Sequence, residues 1–215
     1  MKIVVTRPRR DAPELVSSLE AAGFEVAVCP LIEIAPIGPT AIELDGYDWL
    51  IVTSRNAARE LARRARGRAR RVAAIGSATA AELPEPPDLV AAVSTQEGLL
   101  AQLPRPAGRV LFAGAEGARA LLADELDADV IALYRTIELH PRAFPDADLV
   151  VFASPSAARA YAALGRSTPG VSLGPPTSAA AREQGVRVVA EATSQDVAGL
   201  VAAAKAAADE VRARA

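Results

Sequence analysis

The sequence predicts an α/β protein of two parallel-sheet domains, one inserted in the other, joined by a two-stranded extended linker. Three observations predict it. The first is a duplicated stretch: Asp48-Trp49-Leu50-Ile51-Val52-Thr53-Ser54 is echoed by Asp148-Leu149-Val150-Val151-Phe152-Ala153-Ser154, each followed by an Ala/Arg-rich helical pattern. A continuous apolar run of this length fits a strand buried on both faces, and a serine opening a helical pattern fits an N-cap. The second is that further units repeat. Gly76 and Thr79 match Gly174 and Thr177, Ser94-Thr95-Gln96-Glu97 matches Thr193-Ser194-Gln195-Asp196, and the strand at Lys2–Thr6 has its counterpart at Arg109–Ala113. Strands that alternate with helices imply parallel sheets covered on both faces, of the Rossmann or flavodoxin kind. The third is a pair of extended pieces, residues 30–37 and 134–139. If both are linkers, residues 38–133 form an inserted domain, and residues 1–33 with 139–215 form the other.

Each element has its own signal. Lys2–Thr6 is a strand and Arg7–Asp11 a loop; Ala12–Ala22 repeats Leu15, Val16 and Leu19 at helical spacing, with Gly23 suited to the C-cap. Phe24–Cys29 is a strand, and Pro30–Pro39 is extended and proline-punctuated. The helix after Ser54 runs to about Ala65, and Arg63–Arg71, basic but without interleaved aromatics, reads as a solvated helix end and loop. Val72–Ile75 is a strand leading into a short helix after Gly76. Asp88–Val93 is a strand, and Ser94-x-x-Glu97 is a capping-box signal for the next helix. Arg109–Ala113 is a strand followed by Gly114-Ala115-Glu116-Gly117 and a helix to about Leu126. Asp129–Leu133 is a strand and Tyr134–Leu139 the second linker piece. The helix after Ser154 runs to about Leu164; Gly170–Leu173 and Val186–Ala190 are strands; Thr193-Ser194-Gln195-Asp196 caps a final helix with a charged tail from Asp209.

The chain has 215 residues, 51% of them apolar, enough for a substantial core. No run is long enough to cross a bilayer, and with a strand starting at residue 2 no signal peptide is expected. Cys29 is the single cysteine, so no intramolecular disulfide is possible, and a cytoplasmic location is expected. A net charge of −2 argues against a dominant nucleic-acid surface. Acid–base machinery is scarce. His140, the one histidine, sits in a Pro-flanked loop, no nucleophile-elbow motif accompanies it, and Cys29 reads as a buried, inert thiol. No metal-ligand spacing, Walker loop or Gly-x-Gly-x-x-Gly after a strand is present.

What recurs is strand ends rich in Thr, Ser and Gly, each expected to open a helix and offer backbone N–H groups and hydroxyls. The binding candidates are Thr53, Ser54, Asn56, Ser154, Pro155, Ser156, Gly174 and Thr177, with Thr6, Arg7, Gly76, Thr79, Ser94, Gln96 and Gly114. One such site is only a capped helix. Two domains facing each other across a cleft, with many such sites around it, would suit a ligand bearing several carboxylates or phosphates.

In its ordered set of motifs the chain resembles uroporphyrinogen-III synthases over nearly its whole length. The resemblance is carried by Thr6-Arg7-Pro8, Pro30-Leu31-Ile32, the two Asp-apolar-Ser stretches, and Ala74-Ile75-Gly76-Ser77-Ala78-Thr79. It continues in Tyr134-Arg135-Thr136, Leu173-Gly174-Pro175-Pro176-Thr177 and Ala192-Thr193-Ser194-Gln195. The resemblance implies a lyase that closes the linear tetrapyrrole hydroxymethylbilane with loss of water and inversion of its last ring, without metal or cofactor. It implies a polycarboxylate small-molecule partner, and Tyr134 matches the tyrosine proposed to assist hydroxyl departure; a tyrosine packed on the linker with its hydroxyl in water is the bland alternative. A monomer with no nucleic-acid or membrane partner is the default. One departure stands out: after Thr79 comes Glu82-Leu83-Pro84-Glu85-Pro86-Pro87, where the family has a longer helix, so the second domain is expected to be trimmed there. Two other classes compete: a non-catalytic two-lobed polyanion receptor or sensor, and a nucleotide-dependent transferase, which lacks its phosphate-binding fingerprint.

Overall fold

The computed structural model describes residues 1–213. In chain order it contains β1 (Lys2–Val5), a 3-10 turn (Arg9–Asp11), α1 (Pro13–Ala21), β2 (Glu25–Val28), β3 (Ile32–Pro36), β4 (Ile42–Glu43), β5 (Trp49–Val52) and α2 (Arg55–Arg64). There follow β6 (Ala65–Arg66), β7 (Arg71–Ala74), α3 (Ser77–Ala80), β8 (Leu89–Val90), α4 (Gln96–Leu100), β9 (Val110–Ala115), α5 (Leu121–Leu126) and β10 (Asp129–Glu138). The chain ends with β11 (Leu149–Phe152), α6 (Pro155–Ala162), β12 (Gly170–Ser172), α7 (Pro175–Glu183), β13 (Val188–Glu191) and α8 (Val197–Ala213).

The chain divides into two compact units, Met1–Glu33 with Ile137–Ala215, and Ile34–Thr136. The first holds a five-stranded sheet in the order β13-β12-β11-β1-β2, with every strand pair parallel. Ile3, Val5, Leu149 and Val151 point to a core closed by Leu15 and Leu19 of α1 and Leu200, Ala204 and Ala207 of α8. Val4, Val150 and Phe152 point the other way, onto Ala158, Ala160 and Tyr161 of α6 and Ala181 of α7. Both faces are buried, which is why these strands read as continuous apolar runs.

The second unit holds the order β8-β7-β5-β9-β10-β3. Leu50, Val52, Leu111 and Ala113 pack under Ala57, Ala58 and Leu61 of α2. Trp49, Ile51, Val110 and Phe112 pack under Leu99 of α4 and Leu122 and Leu126 of α5. In each sheet the strand order reverses beside the duplicated strand: between β11 and β1 in one unit, between β5 and β9 in the other. Such reversals open the crevice where doubly wound sheets bind ligands. The linker segments are extended and antiparallel: Ile37 N–H donates to Leu133 O at 3.0 Å and Leu139 N–H to Leu31 O at 2.9 Å.

Several boundaries differ from expectation. The strand expected at Asp129–Leu133 continues as β10 to Glu138: pairing with β9 reaches Tyr134 through a bulge between Ala132 and Tyr134, and β3 lies along its other edge. The strand expected at 88–93 shrinks to β8, two residues. The segment from Asp209, expected as a charged tail, is helix to Ala213; residues 214 and 215 lie outside the described residues. A two-stranded ladder of β4 and β6 has no sequence signal. The trimmed region is plain in α3, four residues long against nine in its counterpart α7. Arg63–Arg71 is a solvated helix end and loop, as expected, and its cations make exposed contacts: Arg68 pairs with Glu85 at 2.7 Å, Arg70 with Asp48 at 3.2 Å, and Arg71 lies over the Trp49 ring.

Candidate functional site

The duplicated strands leave their sheets in the same way. Ser54 has φ −157° and ψ 152°, Ser154 −159° and 155°, and each hydroxyl oxygen accepts the N–H three residues on, from Ala57 at 3.1 Å and Ala157 at 3.2 Å. Both serines are therefore N-caps at the carboxyl end of the switch-point strand, half-buried, with a helix N-terminus behind them. Thr53 and Asn56 flank the first cap, and Pro155 and Ser156 the second, all half-buried; Ser156 Oγ accepts from Arg159 at 3.4 Å. The next strands repeat as well. Gly76 and Gly174 open α3 and α7, and their carbonyls accept from Thr79 and Thr177 at 3.1 and 3.0 Å. A Cβ on Gly76 would stand 2.5 Å from Ser94 Oγ, so Gly76 and Ser94 come together; Gly174 faces Gln195 in the same sense.

Tyr134 lies on β10, beside β9. Its ring belongs to the core under α2, it is 7% exposed, and its hydroxyl donates to Ser54 Oγ at 3.0 Å. The hydroxyl thus has a protein partner, which the bland expectation for this residue did not include. The bulge explains the geometry. Side chains alternate along a strand, yet Leu133 and Tyr134 both point into the same core because the extra residue resets the alternation.

Other candidates fall elsewhere. The Thr6 hydroxyl is fully buried and donates to Val151 O at 2.8 Å, tying β1 to β11, and Arg7 is buried beside it. Neither opens a helix: the next α-helix begins at Pro13. Gly114 lies within β9, paired with Ala132, and α5 starts only at Leu121, so the expected helix-opening loop at 114 is absent. Thr79 and Thr177 are each 4% exposed. Gln96 is buried and donates to Arg119 O at 3.1 Å. The expected capping box is displaced by one residue: Thr95 Oγ1 is the cap of α4, accepting from Gly98 at 3.0 Å, and Glu97 pairs with Arg119 instead, which holds its carboxyl below the usual range. In the other unit Asp196 caps α8, accepting from Gly199 at 2.7 Å. Structural equivalence thus aligns Thr95 with Asp196 and Gly98 with Gly199, two residues away from the pairing expected of the two tetrapeptides.

Three features lacked a reading in sequence. The acid heading each duplicated strand has a job: Asp48 Oδ2 accepts from Arg109 N–H at 2.9 Å and Asp148 Oδ2 from Lys2 N–H at 2.7 Å, fastening the switch-point strands at their amino ends. Arg64 donates to the carbonyls of Ile37, Pro39 and Leu133. In the first unit the buried Ser172 and Ser178 form a hydrogen-bonded chain with the half-buried Glu191. Its counterparts by ladder and loop position in the second unit, Ala74, Ala80 and Val90, are apolar. Cys29 is buried, and burial pushes its thiol up, away from thiolate reactivity. Among the described residues no three His, Cys, Asp or Glu side chains gather as a metal site. No described helix is long and apolar enough to cross a membrane.

Comparison with known proteins bears on these junctions. Residues 13–202 match the family described as uroporphyrinogen-III synthase HemD. The chain belongs to the uroporphyrinogen-III synthase family. Two archaeal proteins, each named "Putative uroporphyrinogen-III synthase", are relatives. The one from Archaeoglobus fulgidus is 30% identical over 212 residues, 87% of this chain and 91% of its own. The one from Methanocaldococcus jannaschii is 28% identical over 151 residues, 64% of this chain, which spans 63% of that relative's length. Among solved structures, uroporphyrinogen-III synthetase from Helicobacter pylori matches with a TM-score of 0.68 at 19% identity, over 95% of this chain and 98% of that one. A mutant uroporphyrinogen III synthase from Thermus thermophilus matches at 0.61 and 17%, over 98% and 99%. At these identities the structural likeness establishes the fold: two α/β domains with parallel-sheet cores. Uroporphyrinogen-III synthases are a family of lyase-type enzymes with a small-molecule substrate.

Proposed function

We propose that the chain is a uroporphyrinogen-III synthase proper: it closes hydroxymethylbilane to uroporphyrinogen III with loss of one water and inversion of ring D. The observation that carries this reading is the paired Ser54 and Ser154 cap, a neutral hydroxyl-and-amide cradle built twice at sheet switch points in a chain of this family. The substrate bears acetate and propionate groups on each pyrrole, and carboxylates are favoured at helix N-termini. Ring-A pyrrole nitrogen electrons expel the hydroxyl and leave a cationic azafulvene. The substituted α-carbon of ring D attacks that methylene; the spiro intermediate fragments at the other bond of that carbon and recloses with the ring inverted; a proton is lost to restore the pyrrole. The protein contributes chiefly by holding the chain so that the substituted carbon attacks before simple closure. Tyr134 assists hydroxyl departure. The enzyme works in the cytoplasm as a monomer, and no cofactor enters the scheme. The test supplies fresh hydroxymethylbilane, oxidises the products and separates uroporphyrin isomers. Type III well above the enzyme-free control supports the reading. Type I at the spontaneous rate rejects it and leaves a polycarboxylate-binding protein.

A further inference from the structure

Resting on that synthase reading, we propose that Ser54 is the catalytic residue that hands a proton to the departing hydroxyl, and that Tyr134 polarises Ser54 from behind. A serine hydroxyl has one hydrogen to give and two lone pairs to fill. Ser54 Oγ already accepts twice, from Ala57 N–H at 3.1 Å and from the Tyr134 hydroxyl at 3.0 Å. Its own hydrogen is the one valence left. Ser54 is half-buried at the strand end, whereas Tyr134 is 7% exposed, so Ser54 is the member of the pair that a substrate reaches first. A hydroxyl oxygen that accepts two hydrogen bonds is a stronger donor through its own O–H, because chained hydrogen bonds polarise one another.

The duplication supplies an internal control. Ser154 has the same backbone conformation and the same cap, but it accepts from Ala157 N–H alone, with no phenol behind it among the described residues. The two serines are alike as caps and unlike as donors. Ser54 is thereby assigned to chemistry and Ser154 to substrate holding. As the hydroxymethyl C–O bond breaks, the Ser54 hydrogen passes to the leaving oxygen and completes a water molecule. Ser54 takes the Tyr134 hydrogen in its place. Tyr134 regains a proton from the one that the substrate releases on ring closure, so the protein ends as it began.

The experiment compares Ser54→Gly, Ser154→Gly, Ser54→Thr, Tyr134→Phe and the Ser54→Gly/Tyr134→Phe double variant in the full chain with fresh hydroxymethylbilane. Glycine at an N-cap preserves the helix nearly as well as serine, and thermal melts check folding. Ser54→Gly is expected to lower kcat by about a hundredfold, the usual scale of one proton donor, and Ser54→Thr to restore most of it. Ser154→Gly is expected to raise KM, with a much smaller loss of kcat. Tyr134→Phe is expected to cost kcat in the parent and nothing further in the Ser54→Gly background. Equal kcat losses from the two glycine variants overturn the proposal, as does a Tyr134→Phe loss that persists undiminished without Ser54. A parent enzyme that makes no type III isomer fails the synthase reading itself, which sets that failure apart from a parent that works while its Ser54→Gly variant turns over unimpaired.

Discussion

Arg64 donates to the carbonyls of Ile37, Pro39 and Leu133 at 2.7, 3.0 and 2.7 Å, and its Nε stands 3.3 Å from a Glu60 oxygen. That last contact is an ion pair rather than an aligned hydrogen bond, since Nε has no hydrogen-bond acceptor in line. Side-chain exposure is 13% for Arg64 and 4% for Glu60, so the pair is shielded from solvent. Leu133 is the bulge residue next to Tyr134, and Arg64 thus braces the turn of chain that aims the phenol at Ser54. Arg64→Gln leaves the Glu60 carboxylate without its buried partner, and equilibrium urea unfolding should show a loss of about 3 kcal/mol. An unchanged midpoint would mean that solvent or Arg63 satisfies Glu60 instead. Acid behaviour is set by other residues. The backbone N–H of Arg109 and then the Arg70 guanidinium hold the Asp48 carboxyl below its usual range, and Tyr47 and then Arg109 do the same for Asp129. A folded pKa below the unfolded one means that the unfolded chain takes up protons first. The stabilisation is complete above the unfolded value of about 4 and fades as pH falls through the lower folded values. Thermal midpoints measured downward from pH 6 should therefore drop below about pH 4, and Asp48→Asn and Asp129→Asn should flatten that limb.

At the scale of elements, the fourth strand–helix junction shows what two copies share once residue identity has drifted. Gly98 and Gly199 are both the third residue of their helices. A Cβ on either would come within 2.3 Å of Val93 O or 2.2 Å of Ser194 O. Helix propensity favours alanine over glycine by about 1 kcal/mol, but contact with rigid backbone opposes it more strongly. Gly199→Ala and Gly98→Ala should each lower stability by about 1–3 kcal/mol in denaturant titrations, and a stabilised variant would contradict the geometry. The equivalence of these glycines was hidden in sequence because the cap changes from Thr95 to Asp196 and the tetrapeptides around them align more readily two residues away. The bulge in β10 was hidden for a related reason. Its residues, Ala132-Leu133-Tyr134, are ordinary strand formers, and only pairing with β9 reveals that one is extra.

For the molecule as a whole, the legible parts were those written locally: apolar runs between turn residues, serines opening helices, and proline-punctuated extended pieces. Duplicated runs made two parallel-sheet units readable, and the trimmed α3 was visible in Glu82–Pro87. The strand–helix junctions were legible at Ser54, Ser154, Gly76 and Gly174, where a backbone turn dictates the residue. The helix-opening pattern fails at Thr6 and Gly114, which a strand end and a strand interior absorb, and the role of Arg64 was hidden because its carbonyl partners lie 25 to 69 positions away in the chain. The topology adds one point. Read in chain order, the first unit's sheet runs 2-1-3-4-5, and the second unit's five parallel strands run 3-2-1-4-5, so the same five-strand layout is threaded in two ways. Both threadings set the capped serine at the reversal, where a ligand is expected. Under the proposed function the protein dictates which carbon of ring D attacks. That reading is tested most directly by the fraction of type III product as enzyme concentration is raised against a fixed supply of hydroxymethylbilane. A synthase makes that fraction climb from the spontaneous background to near-complete type III as catalysis outpaces simple closure. A fraction that stays at background while hydroxymethylbilane is consumed faster would contradict the reading, since the protein would then hasten loss of water without directing the attack.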